Sequence, residues 1–111
     1  MLELMSEEQA WLDAYREALN KKHPGTVKEI LIYGSKARGQ AHAESDVDMI
    51  LIVKNEAGAR KRELRRIGYL LAAETEVLPS ILAYTEEEWE TRKRSGSSFR
   101  KAVERDARRV V

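Results

Sequence analysis

Two short polar motifs lie at the ends of two apolar runs, and their residue types suit a metal-bound phosphate. Gly34-Ser35 ends the first run and Asp46-Val47-Asp48 opens the second, with ten residues between Ser35 and Asp46. Side chains two apart on a strand project to the same face, roughly 6.6 Å apart along the backbone. The two carboxylates therefore lie side by side, and they repel each other unless a cation lies between them.

The Gly34-Ser35 pair supplies the complementary half of such a site. Glycine permits a tight turn and the close approach of a ligand, and the free N–H groups at a helix start favour an anion. Hard divalent ions such as Mg²⁺ bind carboxylate oxygens and retain room for substrate phosphates. The two motifs together predict a nucleoside triphosphate site at one end of one sheet.

The spacing of apolar residues predicts the elements that position these motifs. A short helix is expected to begin near Ser35 and to end at Gly39. Strands are expected over about 27–33, 46–53 and 76–84, and longer helices over about 7–21, 60–75, 86–93 and 98–107. The strand that begins at Asp46 is apolar on both faces beyond its first turn, which is typical of an interior strand.

Local signals predict where some of these elements begin. Thr85 with Glu88 forms a predicted capping box, and so does Ser6 with Gln9. Pro79 cannot donate a hydrogen bond, so the third strand is expected at an edge of the sheet.

Composition narrows the class of protein. The 111 residues predict a single domain over 1–111. The 20 basic and 19 acidic residues leave a net charge of +1, which does not favour nucleic-acid binding. No apolar stretch approaches the roughly 20 residues that span a bilayer. The absence of cysteine and of a signal-peptide pattern favours a cytoplasmic protein.

The Gly-Ser, ten-residue, Asp-x-Asp pattern resembles the signature of the DNA polymerase β-like nucleotidyltransferase superfamily. At this length the chain resembles the minimal nucleotidyltransferases, which are often paired with a HEPN-family protein. The residues that carry the resemblance are Gly34, Ser35, Lys36, Ala37, Arg38, Gly39, Ser45, Asp46 and Asp48.

The resemblance implies a fold and a reaction. The fold would be α+β, in the order αβαβαβα, with a mixed three-stranded sheet flanked by helices. Two Mg²⁺ ions would lie between the Asp46–Asp48 pair, a third carboxylate and the triphosphate of ATP. An acceptor hydroxyl would attack the α-phosphate, so that AMP is transferred and pyrophosphate leaves. Gly34 and Ser35 would hold the phosphates, with Lys36 and Arg38 beside them.

The sequence leaves the identity of the third carboxylate undecided, because the predicted third strand contains no aspartate. Glu76 would be the third catalytic and metal-binding group if the strand begins beside the Asp pair. Alternatively, Ser80 occupies the family's acidic position and the site is weakened or silent.

The expected partners follow from the same resemblance. Besides the nucleoside triphosphate, we expect a HEPN-family protein, whose tyrosine would be the acceptor, or a second copy of the chain. The alternative is a catalytically silent binding module that acts by docking. Binding of RNA through the basic residues of 60–66 and 92–101 is a less favoured alternative. A solvated helix face is the preferred interpretation of 60–66.

Overall fold

The computed structural model describes residues 2–39 and 46–111. The helices are α1 (Ser6–Lys22), α2 (Gly34–Arg38), α3 (Lys61–Ala72), α4 (Glu86–Arg94) and α5 (Ser98–Asp106), and a 3₁₀ helix spans Asn55–Arg60. The strands are β1 (Val27–Tyr33), β2 (Val47–Val53), β3 (Pro79–Thr85) and β4 (Arg108–Arg109). Within this part of the chain, no helix combines the length and the apolarity that crossing a membrane requires.

The strands form one mixed sheet in the order β3-β2-β1-β4. β1 pairs antiparallel with β2 and with β4, whereas β2 pairs parallel with β3. The predicted α+β class is confirmed, but the sheet has four strands and not three. β4 contributes only two residues, opposite Leu31 and Ile32. So short a pairing carries no periodic signal in the sequence.

β2 separates two apolar clusters, as its two-faced sequence predicts. Met49 and Leu51 pack in the larger cluster with the buried face of α1, where Trp11 and Leu12 lie. Ile50 and Ile52 face the other way, in a smaller cluster that α4 and α5 cover with Trp89, Phe99 and Val103. Asp48 alternates with Met49 and therefore shares the face of the smaller cluster.

β3 is an edge strand, as Pro79 predicts, but it begins three residues later than expected. The preceding segment turns before it pairs. The Thr75 hydroxyl donates to the carbonyl of Ala72 at 2.8 Å and accepts from the N–H of Val77 at 3.0 Å. Glu76 is thereby excluded from β3.

One of the two predicted capping boxes is present. The Thr85 hydroxyl accepts from the Glu88 N–H at 3.1 Å, and a Glu88 carboxylate oxygen accepts from the Thr85 N–H at 2.8 Å. The box predicted for Ser6 is wrong, because Ser6 is already helical. The carboxylate of Glu8 accepts instead from the Met5 N–H at 2.9 Å.

A buried ion pair joins α2 to α1. The Lys36 ammonium lies 2.9 Å from both carboxylate oxygens of Glu8, and the two side chains are 1% and 6% exposed. The Lys36 carbonyl also accepts from the Glu3 N–H at 2.8 Å. These contacts hold α2, and with it the Gly34 turn, against the N-terminal part of the chain.

Lys36→Met is expected to lower the free energy of unfolding by about 3–5 kcal/mol, because the Glu8 carboxylate stays buried without its cation. Adding Glu8→Leu should recover most of this loss, since the second substitution removes the stranded charge. Urea denaturation followed by circular dichroism measures both effects.

The exposed pair of Lys61 and Glu88, with a separation of 2.8 Å, provides the control. Lys61→Met should cost less than about 1 kcal/mol. A Lys36→Met protein as stable as the wild type would contradict the structural role of the buried pair.

Candidate functional site

Gly34 and Asp48 come into direct contact at one end of the sheet. Tyr33, the last residue of β1, lies opposite Asp48 in the antiparallel register. Gly34 then turns the chain into α2 with φ of +73°. A Cβ on Gly34 would overlap Oδ2 of Asp48 and lie 3.3 Å from its Cγ. The turn at Gly34 and the second aspartate of the motif therefore lie side by side.

The Asp48 carboxyl group lies in an environment that disfavours its charged form. Burial raises the pKa of Asp48, the nearby Asp46 carboxylate raises it further, and the Arg38 guanidinium opposes both effects. Asp46 itself is exposed and comes immediately before β2. A cation between the two carboxylates would remove this repulsion, so the donor set suits a divalent metal ion.

Tyr33 is a site residue that sequence reasoning missed. Burial raises the pKa of Tyr33 to about 12, and the Asp48 carboxylate adds to the increase. The Tyr33 ring meets the Phe99 ring edge-on, with centroids 5.6 Å apart. Its position in the sequence could have identified it. Tyr33 comes immediately before Gly34 at the end of a predicted strand, so its side chain must lie beside the turn.

The two cationic residues predicted to bind phosphate have different positions. Arg38 is exposed at the end of α2 and lies 3.8 Å from an oxygen of Asp106, and it influences the pKa of Asp48. Lys36 instead is buried in its ion pair with Glu8. We therefore correct the prediction for Lys36 from a phosphate-binding group to a structural one.

The predicted third carboxylate, Glu76, is not brought to the Asp pair. Glu76 is exposed and precedes β3, and its N–H approaches Glu7 Oε1 at 3.4 Å. The residue of β3 opposite Asp48 is Ser80, because the parallel register pairs Asp48 with Ser80. Across the described ranges 2–39 and 46–111, no three acidic or histidine side chains are grouped for metal binding. Ser45, the remaining motif residue, lies outside those ranges.

Comparison with known families agrees with this geometry. A family model described as a nucleotidyltransferase domain matches residues 12–109, which include the Gly34 turn and the Asp pair. The chain belongs to the nucleotidyltransferase-domain family. The predicted superfamily resemblance is thereby confirmed.

One curated protein and one solved structure are similar to parts of this nucleotidyltransferase. A proposed protein adenylyltransferase from Methanocaldococcus jannaschii is 40% identical over 48 residues, which cover 43% of this chain and 47% of the relative. The chain thus matches about half the length of that curated relative. The crystal structure of a proposed nucleotidyltransferase from Sulfolobus solfataricus has a TM-score of 0.49 and 20% identity, with 82% of this chain and 84% of that chain covered.

Gly34→Ala is expected to destabilise the nucleotidyltransferase more than Gly25→Ala does. Both glycines have positive φ, +73° and +70°, so both substitutions carry a similar backbone strain. A Cβ at Gly25 meets only the Lys54 ammonium at 3.7 Å, whereas at Gly34 it overlaps the Asp48 carboxylate. The difference in unfolding free energy should be about 1–3 kcal/mol, as urea denaturation would show.

Removing the Asp48 carboxylate should close this gap. In an Asp48→Gly background, Gly34→Ala and Gly25→Ala should therefore cost the same within about 0.5 kcal/mol. A gap that persists there would show that the overlap with Asp48 is not its cause.

Asp48→Asn is expected to stabilise the protein at neutral pH. The folded-state pKa of Asp48 is raised, so folding favours the protonated carboxyl group. The stability that depends on this protonated group is present below the unfolded pKa of about 3.9 and is lost as the pH rises through the folded value. The gain from Asp48→Asn should therefore be largest near neutral pH and vanish by about pH 3.

Urea denaturation across this pH range measures the gain. Asp13→Asn is the control, since Asp13 is an exposed residue of α1 that accepts from Gln9 at 3.0 Å. An Asp48→Asn gain no larger than that of Asp13→Asn would contradict the predicted repulsion.

Proposed function

We propose that this nucleotidyltransferase transfers AMP from ATP to a hydroxyl group on a protein side chain. The observation that carries the proposal is the contact between the Gly34 turn and the Asp48 carboxylate in a chain of this family. The name of the M. jannaschii relative, a proposed protein adenylyltransferase, supports AMP as the transferred group and a protein as the acceptor.

Each residue of the site has a role in this proposal. The turn at Gly34 and Ser35 receives the β- and γ-phosphates, because a glycine without a side chain lets a ligand approach the backbone closely. The exposed Arg38 attracts the triphosphate to the end of the sheet. The acceptor hydroxyl gives up its proton to solvent as its oxygen forms a bond to the α-phosphorus. The bond from the α-phosphorus to the oxygen that bridges it to the β-phosphate breaks, and pyrophosphate leaves.

Asp46 and Asp48 are the residues that would hold magnesium. When bound, Mg²⁺ neutralises phosphate charge and polarises the phosphoryl oxygens. Two carboxylates with the Ser80 hydroxyl form a weaker donor set than three carboxylates, since a neutral hydroxyl offers less charge to a hard cation. Glu76 could join this set only if its segment moved towards β2.

A second candidate function rests on the position of Ser80. With Ser80 opposite Asp48, and no third carboxylate grouped with the Asp pair in the described ranges, the chain could be a silent module that acts by docking. The partner implied by the family resemblance is a HEPN-type protein, whose tyrosine would be the acceptor in the catalytic case.

Intact-mass measurement separates the two candidates. The protein would be incubated with ATP, Mg²⁺ and a purified HEPN-family protein. An increase by one or more AMP units on the HEPN protein is expected. Asp48→Asn should slow the modification by roughly 100-fold or more, because one charge-stabilising group of the transition state is lost. Asp13→Asn should leave the rate unchanged.

Ser80→Asp tests the third position directly, because it places a carboxylate opposite Asp48. If the wild type transfers no AMP but Ser80→Asp does, the wild type is the silent module. If neither protein modifies the HEPN partner, and Mg²⁺–ATP does not raise the melting temperature of either, the proposed transfer is wrong.

A further inference from the structure

A groove with mixed basic and apolar walls lies between α3 and β3. It encloses about 420 Å³. We call it the arginine groove, and its lining residues are Arg62, Arg65, Arg66, Tyr69, Leu70 and Ile81.

The positive charge of the arginine groove is largely unpaired within the part of the chain that the structure describes. Among the described residues, neither Arg62 nor Arg65 forms an ion pair, and Arg66 meets Glu63 only at 4.0 Å, where both side chains are largely exposed. Guanidinium groups that are left unpaired beside apolar surface favour a carboxylate-bearing partner, since Arg binds carboxylates bidentately.

The exposed apolar side chains of the protein concentrate around the same element. Six large apolar residues are exposed in the described ranges, and four of them belong to the end of α3 and the segment before β3. These four are Tyr69, Leu70, Leu71 and Leu78, which are 43%, 57%, 38% and 52% exposed. Such a concentration marks a surface that a partner covers.

The outer edge of β3 is partly closed to a further strand. The Tyr69 hydroxyl accepts a hydrogen bond from the Ile81 N–H at 2.9 Å. This bond occupies a backbone donor that an added strand would need. A partner would therefore be held by its side chains, as a helix is when it lies in a groove.

We propose that the arginine groove is the docking site for an acidic helix of another protein, with leucine-type anchors beside its carboxylates. A second copy of the chain matches this chemistry poorly. Its acidic helix α4 carries Glu86, Glu87 and Glu90 on the surface, but its apolar residue, Trp89, is only 7% exposed. RNA would use the arginines and Tyr69, yet it would leave the leucines uncovered.

The docking site borders the candidate active site without being part of it. Ile81 follows Ser80, which lies opposite Asp48, and successive residues of a strand face opposite sides of the sheet. A docked protein would thus lie beside the strand that adjoins the Asp pair. Docking needs neither ATP nor transfer, so Asp48→Asn should bind the partner as the wild type does even if the proposed function fails.

Fluorescence anisotropy with a labelled synthetic peptide tests the proposal. The probe is an amphipathic helix of about 16 residues with leucines at helical spacing and glutamates flanking them. We expect saturable binding that weakens about tenfold for Arg62→Glu with Arg66→Glu. A peptide with lysine for glutamate, and another with alanine for leucine, should each bind at least about tenfold more weakly.

Matched variants separate the arginine groove from general charge and from the other occupants. Lys93→Glu with Lys101→Glu changes the net charge by as much as the two arginine substitutions do. Both lysines are exposed, on α4 and α5, so this variant should leave peptide binding unchanged. Leu70→Gln should weaken peptide binding while preserving the circular dichroism spectrum, because Leu70 is an exposed residue.

Three results would overturn the proposal. If the arginine double variant and the lysine double variant lose peptide binding equally, the peptide is held by the net positive charge of the protein and not by the arginine groove. Tighter binding of a single-stranded RNA than of the peptide, again lost with Arg62→Glu and Arg66→Glu, would assign the groove to RNA. A dimer in light scattering that these two substitutions dissociate would assign it to a second copy.

Discussion

The contact between the Gly34 backbone and the Asp48 carboxylate is the constraint on which the site depends. A Cβ at this position would overlap Oδ2 and force the Asp48 carboxylate to move. Glycine also supplies the positive φ that turns β1 into α2. One residue thus brings the turn into α2 against the acidic strand, where burial and the neighbouring Asp46 raise the pKa of Asp48.

The rest of the fold holds these two pieces in place from opposite sides. β2 lies between β1 and β3, with an apolar cluster on each face, so Asp48 stands at the end of a rigid strand. α2 has only five residues and little stability of its own. Its position comes from the buried pair of Lys36 with Glu8, which makes a basic residue of the motif part of the core.

Stability and function compete at the Asp pair. Two neighbouring carboxylates, one of them half-buried, disfavour folding at neutral pH and would be relieved by a cation. A loss of folding stability of this kind is expected where a site is arranged to bind a ligand and not to stabilise the fold. The residue opposite Asp48 on β3 is the uncharged Ser80, which adds no negative charge beside this carboxylate.

The sequence alone determined the features that depend on neighbouring residues. The strands β1 and β2, the turn at Gly34, the cap formed by Thr85 with Glu88, and the edge position of β3 all follow from alternation, φ preference or a missing amide hydrogen. Tertiary structure decided which distant groups meet. It paired Lys36 with Glu8 across 28 residues, placed Ser80 and not Glu76 opposite Asp48, and added β4. These outcomes depend on strand register and helix packing, to which residues far apart in the chain contribute together, so no local pattern encodes them.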